Sequence, residues 1–176
     1  MSELSATELE VMKHAFTAIP EQMGASLQRS AYSPNIKERK DESCAIFNSD
    51  LKMLAQAEHI PVHLGAMPSS LEVAVNECDI GPKDQIILNN PYAGGTHLPD
   101  ITLIKPIYYE DELIGYAVNR AHHADVGGKV PGSMPGDSKT LEDEGIVISP
   151  SYIVKNGEYQ KEIFDLLEKA RSSKER

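Results

Sequence analysis

The sequence has only two cysteines, Cys44 and Cys78, 34 positions apart and outside any CxxC pair. They form neither a zinc signature nor a disulfide framework, so a reducing compartment, the cytoplasm, is expected. No apolar run approaches the ~18–20 residues needed to cross a membrane. The start, Met1–Val11, lacks the basic and apolar regions of a secretory signal. Basic residues are in deficit: 17 Lys and Arg stand against 27 Asp and Glu, a net charge of −10. A surface for nucleic acid or for anionic lipid needs a basic stripe, so neither partner is expected. Internal repeats and low-complexity tracts are also missing. The charged fraction of 25% is ordinary for a soluble protein.

The 176 residues, 40% of them apolar, suffice for one domain that buries roughly 70% of its unfolded surface. The expected fold is α+β, mainly antiparallel strands and hairpins with a long N-terminal helical segment. That domain spans 1–176, with a helical segment at 1–32, a mixed body at 33–156 and a C-terminal helix and tail at 157–176.

Ser5-Ala-Thr-Glu8 has the form of a capping box. Leu9, Met12, Phe16, Ile19, Met23 and Leu27 follow at helical spacing and read as packing residues. Pro20 is expected to divide this stretch into helices at Thr7–Ile19 and Glu21–Ser30. Ser43–Phe47 and Met53–Ala57 read as a hairpin around Asn48-Ser49-Asp50. In Glu58-His59-Ile-Pro-Val-His63, Pro61 opposes a helical His pair. A structural role or a place on a pocket wall therefore suits these histidines better than ligation of a metal. Pro68–Glu77 reads as a helix, with Leu71, Val75 and Cys78 inward, stopped near Asp79-Ile-Gly81-Pro82. Gln85–Leu88 is a short buried strand. The loop Lys129–Asp137, with two Pro-Gly pairs, can cover a site. Gly145–Ser149 and Tyr152–Val154 read as strands, with Pro150 demoting one to an edge. Gln160–Ala170 is an amphipathic helix, and 171–176 is a charged tail expected to fray.

The stretch Asn89–Gly128 organises the chain. It holds three of the six histidines, His97, His122 and His123, and two Gly-Gly pairs. Ile101–Tyr109 and Leu113–Asn119 read as an antiparallel hairpin around Glu110-Asp111-Glu112. A three-residue loop centred on Asp111 sets Tyr108 against Ile114, Pro106 against Tyr116 and Ile104 against Val118. It also sets Asp100 against His122, with Cβ atoms about 4.5–5.5 Å apart. His97, in the Gly-Gly-Thr-His-Leu-Pro turn, can fold back onto the same end.

Two imidazoles and a carboxylate at strand ends suit a catalytic divalent metal ion, Zn²⁺, Mn²⁺ or Fe²⁺, with positions left open for water or substrate. The candidate ligands are His97, Asp100 and His122. Adjacent strand residues point to opposite faces, so His123 is not a fourth ligand and is a candidate for proton transfer. Asp125 can hold an imidazole N–H, and Arg120 can meet a carboxylate or an anionic substrate. Gly94-Gly95 and Gly127-Gly128 would let backbone approach an ion or substrate.

Asn35–Asp41, Ser43–Phe47, Ala55–Gly65, Asn89–Asp100, Asn119–Gly128 and Pro131–Pro135 together resemble the hydantoinase B family. That family includes B subunits of ATP-dependent N-methylhydantoinases, the matching half of 5-oxoprolinase and a large subunit of acetone carboxylase. GGTHLPD and NRAHHADVGG at this separation are far more specific than an isolated His-x-x-Asp. The resemblance implies a metal on the residues matching His97, Asp100 and His122. It also implies an A-type partner, with ATP and Mg²⁺, that phosphorylates the substrate. The sequence lacks a Gly-rich phosphate loop, in keeping with ATP being handled elsewhere.

Family members are substantially longer. By this resemblance the chain is expected to correspond to the N-terminal part of a B-type subunit, either a split subunit completed by another polypeptide or a truncated remnant. The expected function is a metal-binding subunit of an ATP-dependent cyclic amidohydrolase of the hydantoin or 5-oxoproline type. An acetone-carboxylase-like subunit, a non-catalytic assembly subunit and a free-standing Fe(II) oxygenase are the competing readings.

Overall fold

The computed structural model of the protein describes residues 4–57 and 60–172, without the side chains of residues 61, 64, 171 and 172. Glu58 and His59, named above as candidates to line a site, lie outside the described residues. So does most of the expected tail, 173–176.

Seven strands form one antiparallel sheet, ordered β2-β1-β5-β4-β3-β6-β7. They are β1 (Glu42–Asn48), β2 (Met53–Ala57), β3 (Gln85–Leu88), β4 (Asp100–Tyr109), β5 (Glu112–His122), β6 (Ser151–Lys155) and β7 (Glu158–Tyr159). The helices are α1 (Ala6–Ser30), the single turn α2 (Pro34–Lys37), α3 (Pro61–Glu77) and α4 (Lys161–Ser172). The expected α+β class with mainly antiparallel strands is observed.

Period-2 alternation divides the sheet into two apolar faces. Ala45, Phe47, Ile86, Leu88, Ile104 and Val118 face Met67, Leu71 and Ala74 of α3. Ile87, Leu98, Ile101, Val126 and Ile148 gather on the other face, where α4 contributes Ile163, Leu166 and Leu167. Phe47, Leu71, Ile86, Leu88 and Ile104 are almost wholly buried. Each contributes about 1.5–3 kcal/mol to the folded state.

Several expectations are corrected. Helix α1 is continuous through Pro20. Pro20 and Gly24 are its buried residues, and the helix packs on β1 and β2. This packing holds the helix together despite the backbone hydrogen bond that proline cannot donate. At Gly24 a Cβ would come within 2.9 Å of Glu42 Oε1, so the glycine admits the sheet. The apolar stripe before Pro20 is not core: Leu9, Met12, Phe16 and Ile19 are all exposed. The capping box forms as expected, with Glu8 N donating to Ser5 Oγ and Ser5 N to Glu8 Oε2.

Helix α3 begins seven residues earlier than its periodicity suggests. Pro61 occupies the first turn, where a missing N–H costs nothing, and so starts the helix rather than opposing it. Gly145–Ser149 forms no strand. It makes one isolated bridge, Gly127 to Gly145, and is fixed by irregular bonds such as Ile146 N to Val126 O. Pro150 does not put β6 on an edge, because β6 lies between β3 and β7. Asn156 (φ +54°) and Gly157 (φ +86°) close the β6–β7 hairpin, the Asn-Gly pattern of a two-residue turn. Helix α4 runs on through residue 172, into the expected tail.

The β4–β5 hairpin turns on two residues, Glu110-Asp111, with Glu110 at φ +52°. Tyr108 therefore faces Leu113 rather than Ile114, and a bulge between Ile107 and Tyr108 absorbs the offset. Inward of the bulge the pairing is as expected: Pro106 with Tyr116, Ile104 with Val118, Asp100 with His122.

Candidate metal centre

The site grows out of the sheet register. On the face covered by α3, the rungs across β1, β5 and β4 change character toward one end. Ala45, Val118 and Ile104 form an apolar rung, and the next outward is Ser43, Arg120 and Thr102. The last pairs His122 with Asp100, and Asp41 extends it, its carbonyl accepting from His122 N at 2.9 Å. A hydrophobic layer thus gives way to a polar one and then to the candidate ligands.

His97 reaches this rung from the turn before β4. Asp100 N donates to His97 O at 3.0 Å, closing the turn, and Thr96 Oγ1 donates to Asp100 Oδ2 at 2.6 Å. Asn89 is wholly buried and pegs the same turn. Its Nδ2 donates to Leu98 O at 2.8 Å and Ile146 O at 3.0 Å, and its Oδ1 accepts from Ile148 N at 2.7 Å.

Three atoms converge. His97 Nε2 lies 2.9 Å from Asp100 Oδ1, His122 Nδ1 lies 3.0 Å from the same oxygen, and the two nitrogens are 3.1 Å apart. Asp100 is buried, and His97 and His122 are partly exposed. Ligand bonds of about 2.1 Å at right angles require edges of about 3.0 Å. The triangle is thus of the size that three adjacent ligands of one divalent ion would span. Two imidazoles and a carboxylate are a donor set for Zn²⁺, Mn²⁺ or Fe²⁺.

The electrostatics keep Asp100 ionised and favour a proton on His97, with which an ion would compete. Burial pushes the Asp100 carboxyl up, but hydrogen bonds from His122, His63, His97 and Thr96 outweigh it and hold the group far below the usual carboxylate range. The hydrogen bond to Asp100 raises His97, against the opposing effect of burial. Asp41 adds a second carboxylate, with Oδ2 4.0 Å from His122 Nδ1.

Arg120 lies under the triad, wholly buried. Its Nε donates to Thr102 Oγ1 at 2.8 Å, and its Nη2 to Ser70 Oγ at 2.6 Å and Gly94 O at 3.3 Å. Ser70 Oγ also donates to Gly94 O. Arg120 thus ties α3 to the loop that leads into His97. Burial lowers its pKa, and the negative charge of Asp100 acts the other way. The glycine pairs approach the protein's own backbone. A Cβ on Gly94 would meet Ser70 Cα at 2.8 Å, and one on Gly128 would meet Glu144 O at 2.5 Å.

His123 follows the last strand residue, its N–H donating to Pro99 O at 2.8 Å, and it lies outside the converging set. Asp125 organises the following loop. Its Oδ1 accepts from Gly127 N at 2.8 Å and Ser133 Oγ at 3.0 Å, and its Oδ2 from Gly132 N at 3.3 Å. That loop borders a cleft of about 740 Å³ lined also by Leu166 and Lys169 of α4. The triad lies outside this cleft, and the donor chemistry belongs to the triad.

The hydantoinase B/oxoprolinase family model matches residues 5–176. The chain belongs to the hydantoinase B/oxoprolinase family. This hydantoinase B/oxoprolinase chain is 51% identical over 164 residues to an uncharacterized protein of Methanocaldococcus jannaschii, covering 90% of the chain and 29% of that protein. It is 46% identical over 158 residues to the 5-oxoprolinase of Saccharomyces cerevisiae, covering 88% of the chain and 12% of the enzyme. Its fold is similar to that of the ATP-dependent caprolactamase from Pseudomonas jessenii, with a TM-score of 0.86 and 27% identity over 94% of this chain and 29% of that one. The chain thus spans less than a third of each of these relatives.

Sequence reasoning passed over Asp41, Thr96, Ser43, Ser70 and Asn89 as site residues. Their roles depend on β1 lying beside β5 and on α3 crossing above it. His63, for which the sequence suggests a structural role or a place on a pocket wall, is buried beside Asp100.

Proposed function

We propose that this chain is the metal-binding part of a B-type subunit in an ATP-dependent cyclic amidohydrolase. The observation that carries the reading is the triangle of His97 Nε2, Asp100 Oδ1 and His122 Nδ1 in a chain of this family. Oxoproline and caprolactam, for which two of the relatives are named, are both lactams, which favours a cyclic amide as substrate.

In this reading His97, Asp100 and His122 hold one divalent ion, Zn²⁺, Mn²⁺ or Fe²⁺. Such an ion supplies Lewis acidity toward water and a carbonyl oxygen. His123, next to His122, moves protons. Asp125 supports it from the loop that it braces. An A-type ATPase partner binds ATP and Mg²⁺ and phosphorylates the lactam. The setting is cytoplasmic. No helix among the described residues is long and apolar enough to cross a membrane.

The test is reconstitution with the A-type partner and any co-purifying chain. Stoichiometric metal on this chain and ATP-dependent opening of a lactam are expected. A complex that assembles without metal on this chain would instead make it a non-catalytic assembly subunit. Consumption of bicarbonate in place of water would make it part of a carboxylase.

A further inference from the structure

The role of His63 is left open by that mechanism. It stands in the first turn of α3, only 1% exposed, with the fully buried Ser43 of β1 beneath it. Nδ1 lies 3.1 Å from Ser43 Oγ. Nε2 faces two carboxylates, 3.4 Å from Asp100 Oδ2 and 3.8 Å from Asp41 Oδ1. A nitrogen lone pair aimed at two carboxylates is repelled, so Nε2 must carry a proton. In the neutral ring Nδ1 then accepts, and the hydroxyl of Ser43 is the donor that meets it. Burial leaves water little room to replace either partner.

The two oxygens of Asp100 are divided accordingly. Oδ1 faces His97 and His122, whereas Oδ2 takes the Thr96 hydroxyl and faces His63. We propose that His63 is a positioning residue, set in its Nε2–H tautomer by the carboxylates of Asp100 and Asp41 and held at Nδ1 by the Ser43 hydroxyl, that holds Asp100 Oδ2 back so that Oδ1 alone meets the ion. The same N–H draws Asp41 toward the rung. This rests on reading the triad as a metal centre, although the tautomer itself does not. Helix α3 thereby transmits its placement on the sheet to a ligand on β4.

The first experiment needs no metal. Imidazole ¹⁵N shifts of the metal-free protein, assigned with His63→Gln, are expected to show an Nε2–H ring. An Nδ1–H ring with bare Nε2 overturns the proposal. The second measures Zn²⁺ and Mn²⁺ affinity by chelator competition. In His63→Gln the side-chain amide reaches the Nε2 position, so affinity is expected within about 3-fold of the parent. In His63→Asn, which replaces only Nδ1, and in Ser43→Ala, a loss of about 10- to 100-fold is expected. His63→Leu, which fills the same buried space without an N–H, is expected to lose affinity as His63→Asn does, whereas a space-filling role would leave it parent-like. Parent-like affinity in His63→Asn or His63→Leu, or equal losses in His63→Gln and His63→Asn, overturns the positioning role. A parent protein that binds neither ion overturns the metal reading instead, and the tautomer is still judged by its shifts.

Discussion

Asp100 and His122 are direct cross-strand partners at the open end of the β4–β5 ribbon, with Asp100 Oδ1 and His122 Nδ1 3.0 Å apart. Backbone pairing therefore fixes two of the three candidate ligands, and only His97 depends on a turn. A hydrogen-bonded ladder costs little further reorganisation when a ligand arrives, so two of the three ligands are in place before any ion enters.

Removing either imidazole should remove the ion and spare the fold. His97→Ala and His122→Ala are each expected to lower metal affinity at least ~100-fold. Since His97 is partly exposed and bears little of the core, its variant should lose less than about 1 kcal/mol of stability. Metal analysis beside a thermal melt checks both. Full metal content in either variant disproves the ligand assignment.

Arg120→Lys should not be conservative. A lysine amine cannot reproduce the fork that reaches Thr102, Ser70 and Gly94 together. A loss of about 2–3 kcal/mol is expected in urea unfolding, because buried acceptors lose their donors. Weaker metal binding should follow as the Gly94 loop loosens from α3. Unchanged stability would show that the fork carries no weight.

Asp84 predicts an acid dependence away from the site. Burial pushes its carboxyl up, but the N–H groups of Asn156 and Gly81 and the Lys155 ammonium outweigh this and lower the pKa. The folded protein thus binds this proton more weakly than the unfolded chain. Its stabilisation is complete above the unfolded aspartate pKa of about 3.9 and is lost as pH falls through the lower folded value. Asp84→Asn should cost about 2 kcal/mol at neutral pH, with the gap to the parent closing below about pH 4. A gap that stays constant in denaturant melts from pH 6 to 3 would count against it.

The exposed stripe of α1 should tolerate polar residues. Leu9→Gln and Phe16→Ser, at sites 58% and 36% exposed, are expected to change stability by less than about 1 kcal/mol. Phe47→Ala, beneath α3, should cost about 3–5 kcal/mol. Comparable losses at Phe16 and Phe47 would mean that the stripe is buried in solution.

Local rules made much of the fold legible. Alternation and turn residues marked β1–β5, and the Asp100–His122 pair followed from one ribbon register, because neighbouring strands are bound by short-range geometry. Where local rules failed, longer-range packing had decided. Pro20 stays helical because the sheet supports it, and Pro61 begins a helix because a proline at the first position loses no bond. The Asn156-Gly157 turn was readable and was passed over.

The sequence by itself determined the family, the ribbon and the three side chains His97, Asp100 and His122, since motif and register are properties of contiguous residues. Only the tertiary structure decided that β1 lies against β5 and that α3 crosses above them. That arrangement brings Asp41, Ser43, His63 and Arg120 under the triad. Such placements join residues far apart along the chain, and burial rather than local propensity selects them.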